Sequence, residues 1–417
     1  MHTYTWIFII PFAVTLGLQL WLSLRQGTNV TNYRSTVPAE FADKVTLEEH
    51  QKAADYTVAK GVFARFELLL GSIILLLWTL GGGLNLLDQW LRTFGLGELT
   101  TGVALILSFT LISSLVDIPT TLYQNFVIEE KFGFNKLTLK TFFIDLLKNT
   151  VLSLVIGIPL ILVVLWLMNE YTEGLWWLYA WLALTVFSLV MMWAYPKFIA
   201  PIFNKFQPLE EGEVLERITG LLERTGFNSQ GVFVMDGSRR SSHGNAYFTG
   251  FGKNKRIVFF DTLLKHLSPA EVEAVLAHEL GHFKRKHVIK GMILSMLMTL
   301  SGFALLAFLM KQDAFFHALG VEQPSTYMAL LLFMLVAPLY TFFIGPIMSW
   351  WSRQHEFEAD EFAAKESSAK ELISALVGLY RKNAGTLTPD PLFSAFYDSH
   401  PPASIRIAHL KKAGGLD

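Results

Sequence analysis

The chain has 417 residues, of which 52% are hydrophobic and only 17% charged, with a formal net charge of -1 and no cysteine. Soluble chains carry about 25% charged residues, so the deficit points to apolar stretches of membrane length. Near-neutral charge offers no argument for a nucleic-acid partner, and the missing thiols exclude disulfides, a cysteine nucleophile and a cysteine-ligated metal.

A membrane span needs about 20 mostly apolar residues. Seven stretches qualify: residues 6–24, 68–87, 101–123, 150–168, 175–195, 288–310 and 327–350. The first lacks Lys and Arg at its front end and has no clear small-residue cleavage site after it, so it reads as a retained helix rather than a signal peptide. Pro11, Pro119, Pro159 and Pro338 fall inside spans and predict kinks. Seven crossings put residues 25–67, 124–149, 196–287 and 351–417 on one side. Of the 34 Lys and Arg, all but Arg92, Lys290 and Lys311 lie in those segments. The positive-inside rule then sets the N-terminus outside and the C-terminus in the cytoplasm.

The sequence divides into an N-terminal membrane region with five spans (1–195), a cytoplasmic segment (196–287), a transmembrane hairpin (288–350) and a C-terminal cytoplasmic segment (351–417). The fold class is mainly α, with a small β element. A hairpin is predicted from residues 245–250, a turn at Gly252-Lys253-Asn254, and the β-branched and aromatic run 256–260. The C-terminal segment reads as helices, the longest over residues 359–382.

Residues 278–282 read His-Glu-Leu-Gly-His. On a helix, positions i and i+4 share a face, so His278 and His282 can chelate one ion while Glu279 reaches a metal-bound water as general base. A helix is well signalled. Ser268-Pro269-Ala270-Glu271 offers an N-cap, a proline in the first turn and a capping-box glutamate, and Val272, Val275, Leu276, Leu280 and Phe283 follow with apolar spacing. The bland alternative is an interfacial helix with incidental histidines.

Catalytic zinc takes three protein ligands and keeps a position for water. The third must come from elsewhere, and Arg353-Gln354-His355-Glu356-Phe357-Glu358-Ala359-Asp360-Glu361 returns to the same side after the last span. Glu356 and Asp360 are i,i+4 partners, so Glu356 can ligate while Asp360 accepts a hydrogen bond from a ligand imidazole. Glu358 points away from them, and His355 and Glu361 remain alternative ligands. An exposed acidic helix face is the competing reading.

At these residues the sequence resembles the type I CAAX prenyl proteases, the Ste-twenty-four family of integral-membrane gluzincins. The likeness runs along nearly the whole chain. It is carried by Val127-Ile128-Glu129-Glu130-Lys131-Phe132-Gly133-Phe134-Asn135-Lys136, by Ala200-Pro201-Ile202-Phe203-Asn204-Lys205-Phe206, and by Ser241-Ser242-His243-Gly244-Asn245-Ala246-Tyr247-Phe248. The metal motif, the Glu-Phe-x-Ala-Asp run at 356–360, and Ser399-His400-Pro401-Pro402 with Arg406 complete the set. The resemblance implies one zinc ion on His278, His282 and Glu356, Glu279 as general base and Asp360 behind the ligands. It further implies Asn245 and Ala246 on an edge strand beside an extended peptide, and His400 and Arg406 as donors to the oxyanion. It implies seven helices around a water-filled chamber and a peptide or protein substrate, prenylated or not; Asp117 and Gln124, in or near the third span, either line that chamber or hydrogen-bond between helices. Long insertions of some eukaryotic members and a C-terminal retrieval signal are missing, which suggests a compact prokaryotic member in a bacterial inner membrane.

Three rivals share parts of this pattern. A quality-control protease of the heat-shock gluzincin type has the ligands but fewer spans and no 127–136 signature. A site-two protease carries its motif inside a span, whereas Phe283-Lys284-Arg285-Lys286 demands an interface. A transporter or scaffold with structural zinc leaves Glu279 without a task.

Overall fold

The computed structural model describes residues 3–249 and 255–416. Seven helices among them are long and apolar enough to cross a membrane, and each overlaps one of the seven expected spans, although the helix expected over 68–87 ends at Trp78 and lies over 47–78 instead. Helix α1 (Thr3–Asn32) and helix α2 (Leu47–Trp78) run well past the apolar cores of their spans. A short α3 (Gly83–Arg92) leads to α4 (Glu98–Tyr123), whose end winds into a π-helical turn at Gln124–Glu129. Helices α5 (Leu139–Glu170) and α6 (Trp176–Ala194) follow, the latter ending in a π-helical turn, Tyr195–Ile199, and the short α7 (Ala200–Phe203). Pro119, Pro159 and Pro338 all lie inside helices.

The segment after α7 folds as a four-stranded sheet with helices on it. Strand β1 (Phe206–Pro208) precedes α8 (Glu213–Thr225), then come β2 (Val232–Met235), β3 (Ala246–Thr249) and β4 (Arg256–Phe260). The order is β1-β2-β4-β3. Strand β4 is central and apolar, parallel to β2 and antiparallel to β3, with Ala246 opposite Phe259. The expected pair of strands is therefore present as β3 and β4, while its turn at 252–254 lies outside the described residues. Strands β1 and β2 were not anticipated, since three or four half-buried residues carry too short a pattern to stand out.

Two short helices, α9 (Asp261–Leu264) and α10 (Pro269–Lys284), bring the chain back to the membrane, and α11 (His287–Leu309) crosses it. After α12 (Asp313–Ala318) the last crossing is α13 (Thr326–Thr341), a 3-10 turn at Phe342–Ile344, and α14 (Gly345–Glu366). Helix α14 thus carries the last span's rod directly into the C-terminal segment. The long helix expected over 359–382 is instead two: α14 ends at Glu366 and α15 (Ala369–Lys382) begins anew. The reason is local, because Ser368 caps α15 by accepting a hydrogen bond from the Glu371 amide. Helices α16 (Pro391–Tyr397) and α17 (Ala403–Gly414) complete the fold.

Two large apolar cores result. One joins the membrane helices around Trp176, Tyr327 and Met328, and the other packs α8, α10, α15 and α17 on the sheet around Ile218, Phe259 and Leu276. A cavity of about 730 Å³ opens beside α1 and α2, with Gln19, Lys60, Glu67, Gln124 and His243 in its wall. Gln124 lines it as expected. Asp117 is not among its lining residues, and its carbonyl accepts the hydroxyl hydrogens of Thr120 and Thr121.

Candidate active site

Helix α10 is fixed at its start by the expected capping box. The Ser268 hydroxyl accepts from the Glu271 amide at 3.3 Å, and the Glu271 carboxylate accepts from the Ser268 amide at 2.8 Å. Val272, Leu276 and Leu280 bury its core face. Helix α10 lies directly on α14, and Gly281 makes this possible: a Cβ there would stand 2.8 Å from the Ala359 Cα. The glycine that weakens the helix is the residue that lets the two ligand-bearing helices touch.

That contact brings three ligand atoms together from two helices. His278 Nε2 and His282 Nε2 stand 3.2 Å apart. Glu356 Oε2 lies 3.4 Å from His278 Nε2, and Oε1 lies 3.1 Å from His282 Nε2. Ligand atoms at 2.0–2.1 Å from a tetrahedral ion are about 3.3 Å apart, so the group matches such an ion. A second observation agrees: Glu356 Oε2 is buried and makes no hydrogen bond, having only contacts of 3.4 Å to His278 Nε2 and Arg406 Nη1, and a buried carboxylate oxygen so loosely met suits a closer cation. His278, His282 and Glu356 are the one such group of His, Asp and Glu among the described residues. His355 and Glu361 do not belong to it. His355 stacks on His287 with centroids 3.9 Å apart, and Glu361 faces His409.

The residues behind the ligands are as closely held. Asp360, fully buried, receives His278 Nδ1 at 2.8 Å and the Arg406 guanidinium through Nε at 2.9 Å and Nη2 at 2.5 Å. Arg406 Nη1 is 3.4 Å from Glu356 Oε2. Burial opposes a charge on His278, but the neighbouring carboxylates of Asp360 and Glu356 outweigh it and raise its pKa to about 9. An entering metal therefore competes with a proton. Burial likewise opposes the charge on Arg406, and Asp360 more than restores it. Behind His282, Nδ1 meets His287 Nδ1 at 3.0 Å, and His287 Nε2 meets Glu358 at 3.0 Å. Sequence reasoning missed His287 and dismissed Glu358. The available signal was a third histidine five residues after His282, which becomes visible only once the turn between α10 and α11 is known.

Glu279, next to the first ligand, is half-buried and has no hydrogen-bond or ion-pair partner among the described residues. His400 is exposed, and its Nε2 lies 3.5 Å from Glu356 Oε1. It lines a polar cleft of about 350 Å³ with Gln26, Tyr380, Thr386 and Tyr397. Gln26, Thr386 and Tyr397 also line the larger cavity, so the two spaces adjoin.

Ala246 opens β3, the edge strand, and Asn245 stands exposed just before it, with its side-chain oxygen accepting from the Ala246 amide. The preceding loop is tied to the membrane region. Asn383 brackets Gly244, accepting from its amide at 3.2 Å and facing His243 Nδ1 at 3.3 Å. His243 stacks on Phe134 and meets Glu129 at 3.5 Å, and Glu129 accepts from the Tyr56 hydroxyl at 2.5 Å. Asn383 is another residue that sequence reasoning did not find.

A polytopic helical fold with a His, His, Glu group held between two packed helices defines a membrane metallopeptidase. Known proteins narrow the class. Residues 26–205 match the family model described as CAAX prenyl protease N-terminal, five membrane helices, and residues 208–413 match peptidase family M48. CAAX prenyl protease 1 of Saccharomyces cerevisiae is 40% identical over 316 residues, covering 72% of this chain and 69% of the yeast protein. The CAAX prenyl protease 1 homolog of Homo sapiens is 36% identical, covering 94% of this chain and 92% of its own. The crystal structure of S. mikatae Ste24p is similar at TM-score 0.92 and 31% identity, over 98% of this chain and 99% of that one. The chain belongs to peptidase family M48, and within it to the CAAX prenyl proteases.

Proposed function

We propose that this protein is a zinc endopeptidase that cleaves prenylated peptides, with its active site facing the cytoplasm of a bacterial cell from the inner membrane. The observation that carries the metal reading is the His278, His282 and Glu356 group, whose buried carboxylate oxygen Oε2 makes no hydrogen bond. Two imidazoles and a carboxylate without sulfur suit zinc among the common divalent ions. Zinc there supplies Lewis acidity, polarising the scissile carbonyl and making water a stronger acid.

The chain's own residues do the rest. Glu279, unpartnered beside the ligands, takes the proton from the attacking water and passes it to the leaving amine. His400, at the cleft, and Arg406, through Nη1, stabilise the oxyanion. Asp360 holds His278 by its Nδ1 and keeps Arg406 in register. The free edge of β3, with Asn245 and Ala246, receives an extended peptide by main-chain hydrogen bonds. The cavity adjoining the cleft supports a route for a lipid-bearing substrate, since its wall mixes polar and apolar side chains. In this reading residues 1–195 form the membrane region, 196–287 and 351–417 the two halves of the protease, and 288–350 the hairpin that pairs them. Orientation rests on the basic residues, and the bacterial setting on the chain's compactness.

The test compares a prenylated CAAX peptide with its unprenylated twin, using zinc-loaded wild type, Glu279→Gln and a chelated sample. Wild type cleaves and prefers the lipidated peptide. Glu279→Gln keeps its metal and loses at least about 10²-fold in turnover. Normal cleavage by that variant, or none of either peptide by zinc-loaded wild type, would overturn the mechanism.

A further inference from the structure

His282 is held on its far side by an arrangement unlike that of His278. His278 Nδ1 meets a carboxylate directly, in Asp360. His282 Nδ1 meets a second imidazole, His287 Nδ1, at 3.0 Å, and only then a carboxylate, Glu358, 3.0 Å from His287 Nε2. His287 is almost wholly buried, and its ring is stacked nearly parallel on His355, 7° between planes. Glu358 is 41% exposed in its side chain.

Proton counting leaves one arrangement for this chain once His282 serves as a ligand. A metal takes the lone pair of Nε2, so the His282 proton sits on Nδ1 and must be donated. The His287 Nδ1 facing it must then be the acceptor. A neutral His287 consequently carries its own proton on Nε2 and donates it to Glu358. The carboxylate can only accept, which fixes the direction of both hydrogen bonds.

The backbone is bent to make this possible. Lys286, immediately before His287, has φ of 58°, one of two non-glycine residues with positive φ in the described chain. A lysine gains nothing locally from the left-handed region, so the surroundings impose it. The turn it makes swings the first residue of α11 back against the last turn of α10, which sets His287 five residues from His282 yet in contact with it.

We propose that His287 is a positioning residue for the metal site: with Glu358 behind it, it locks the tautomer and ring angle of His282. The proposal rests on the metal reading above. It assigns Glu358, by sequence a bystander on the wrong face of its helix, to the support of a ligand on another helix.

Zinc affinity of the detergent-purified full chain, measured by competition with a chromophoric chelator, tests it. His287→Phe keeps a ring stacked on His355 but removes both the acceptor facing His282 and the donor to Glu358, and is expected to weaken zinc about 10–100-fold. His287→Asn offers its side-chain oxygen where Nδ1 was, and should recover most of that loss. Glu358→Ala, at a half-exposed site that leaves the core alone, should weaken zinc in the same direction and keeps the test decisive if a His287 variant fails to fold. His287→Phe or Glu358→Ala binding zinc as tightly as wild type would overturn the proposal, as would His287→Asn binding no better than His287→Phe. Wild type that binds no zinc would instead sink the metal reading on which it rests.

Discussion

Among single residues, Arg406 and Gly281 make the sharpest demands. Arg406 is buried and shares two hydrogen bonds with a fully buried Asp360. Removing one member of such a pair leaves the other charge stranded, at a cost of about 3–5 kcal/mol. Arg406→Ala should therefore lower the thermal midpoint of the purified protein markedly. Arg406→Lys should rescue little, because a lysine cannot span both carboxylate oxygens. Gly281→Ala offers a contest between two effects. Alanine gains about 1 kcal/mol in helix propensity, but its Cβ would collide with the Ala359 backbone, which cannot turn aside as a side chain could. Overpacking of this kind costs about 1–3 kcal/mol, so the variant should be less stable and bind zinc more weakly. A zinc affinity that is unchanged would show that α10 and α14 can part without disturbing the ligands. His278 and His282 were legible because helical spacing is written in the sequence. The need for Gly281 was not, because its reason stands 78 positions away, at Ala359.

The elements show the same division. Every membrane crossing was legible, since twenty apolar residues leave little choice of structure. The α10 start was legible from Ser268 and Glu271, and Ser268→Ala should cost about 1 kcal/mol of stability through the lost cap. What escaped notice lies where elements meet. The break between α14 and α15 is set by a capping serine within an otherwise helical run. The edge position of β3 depends on β2, which the sequence hid, and on the Asn383 bracket. Both non-glycine residues with positive φ, Lys286 and Ala384, sit beside residues that reach across such junctions, His287 and Asn383. Glu356 occupies a middle ground. Its i,i+4 relation to Asp360 was readable, but choosing it over His355 and Glu361 required either a family resemblance or the packing of α10 on α14.

For the whole molecule, the absence of cysteine makes the orientation directly testable. A single cysteine introduced at Lys311 should react with an impermeant maleimide added outside intact cells, whereas one at Lys205 should react only after the membrane is opened. The reverse pattern would move the active site to the outer face.

The third ligand stands on the rod that the last crossing extends out of the membrane. This has a consequence for the order of events during synthesis. The ribosome delivers His278, Glu279 and His282 before α11 to α14 exist, so the emerging chain carries two of the three candidate ligands and the proposed base with nothing to complete them. Completion waits for the final hairpin to be inserted and for Asp360 and Arg406 to follow. The candidate metal group is therefore complete only when the last helices have found their place.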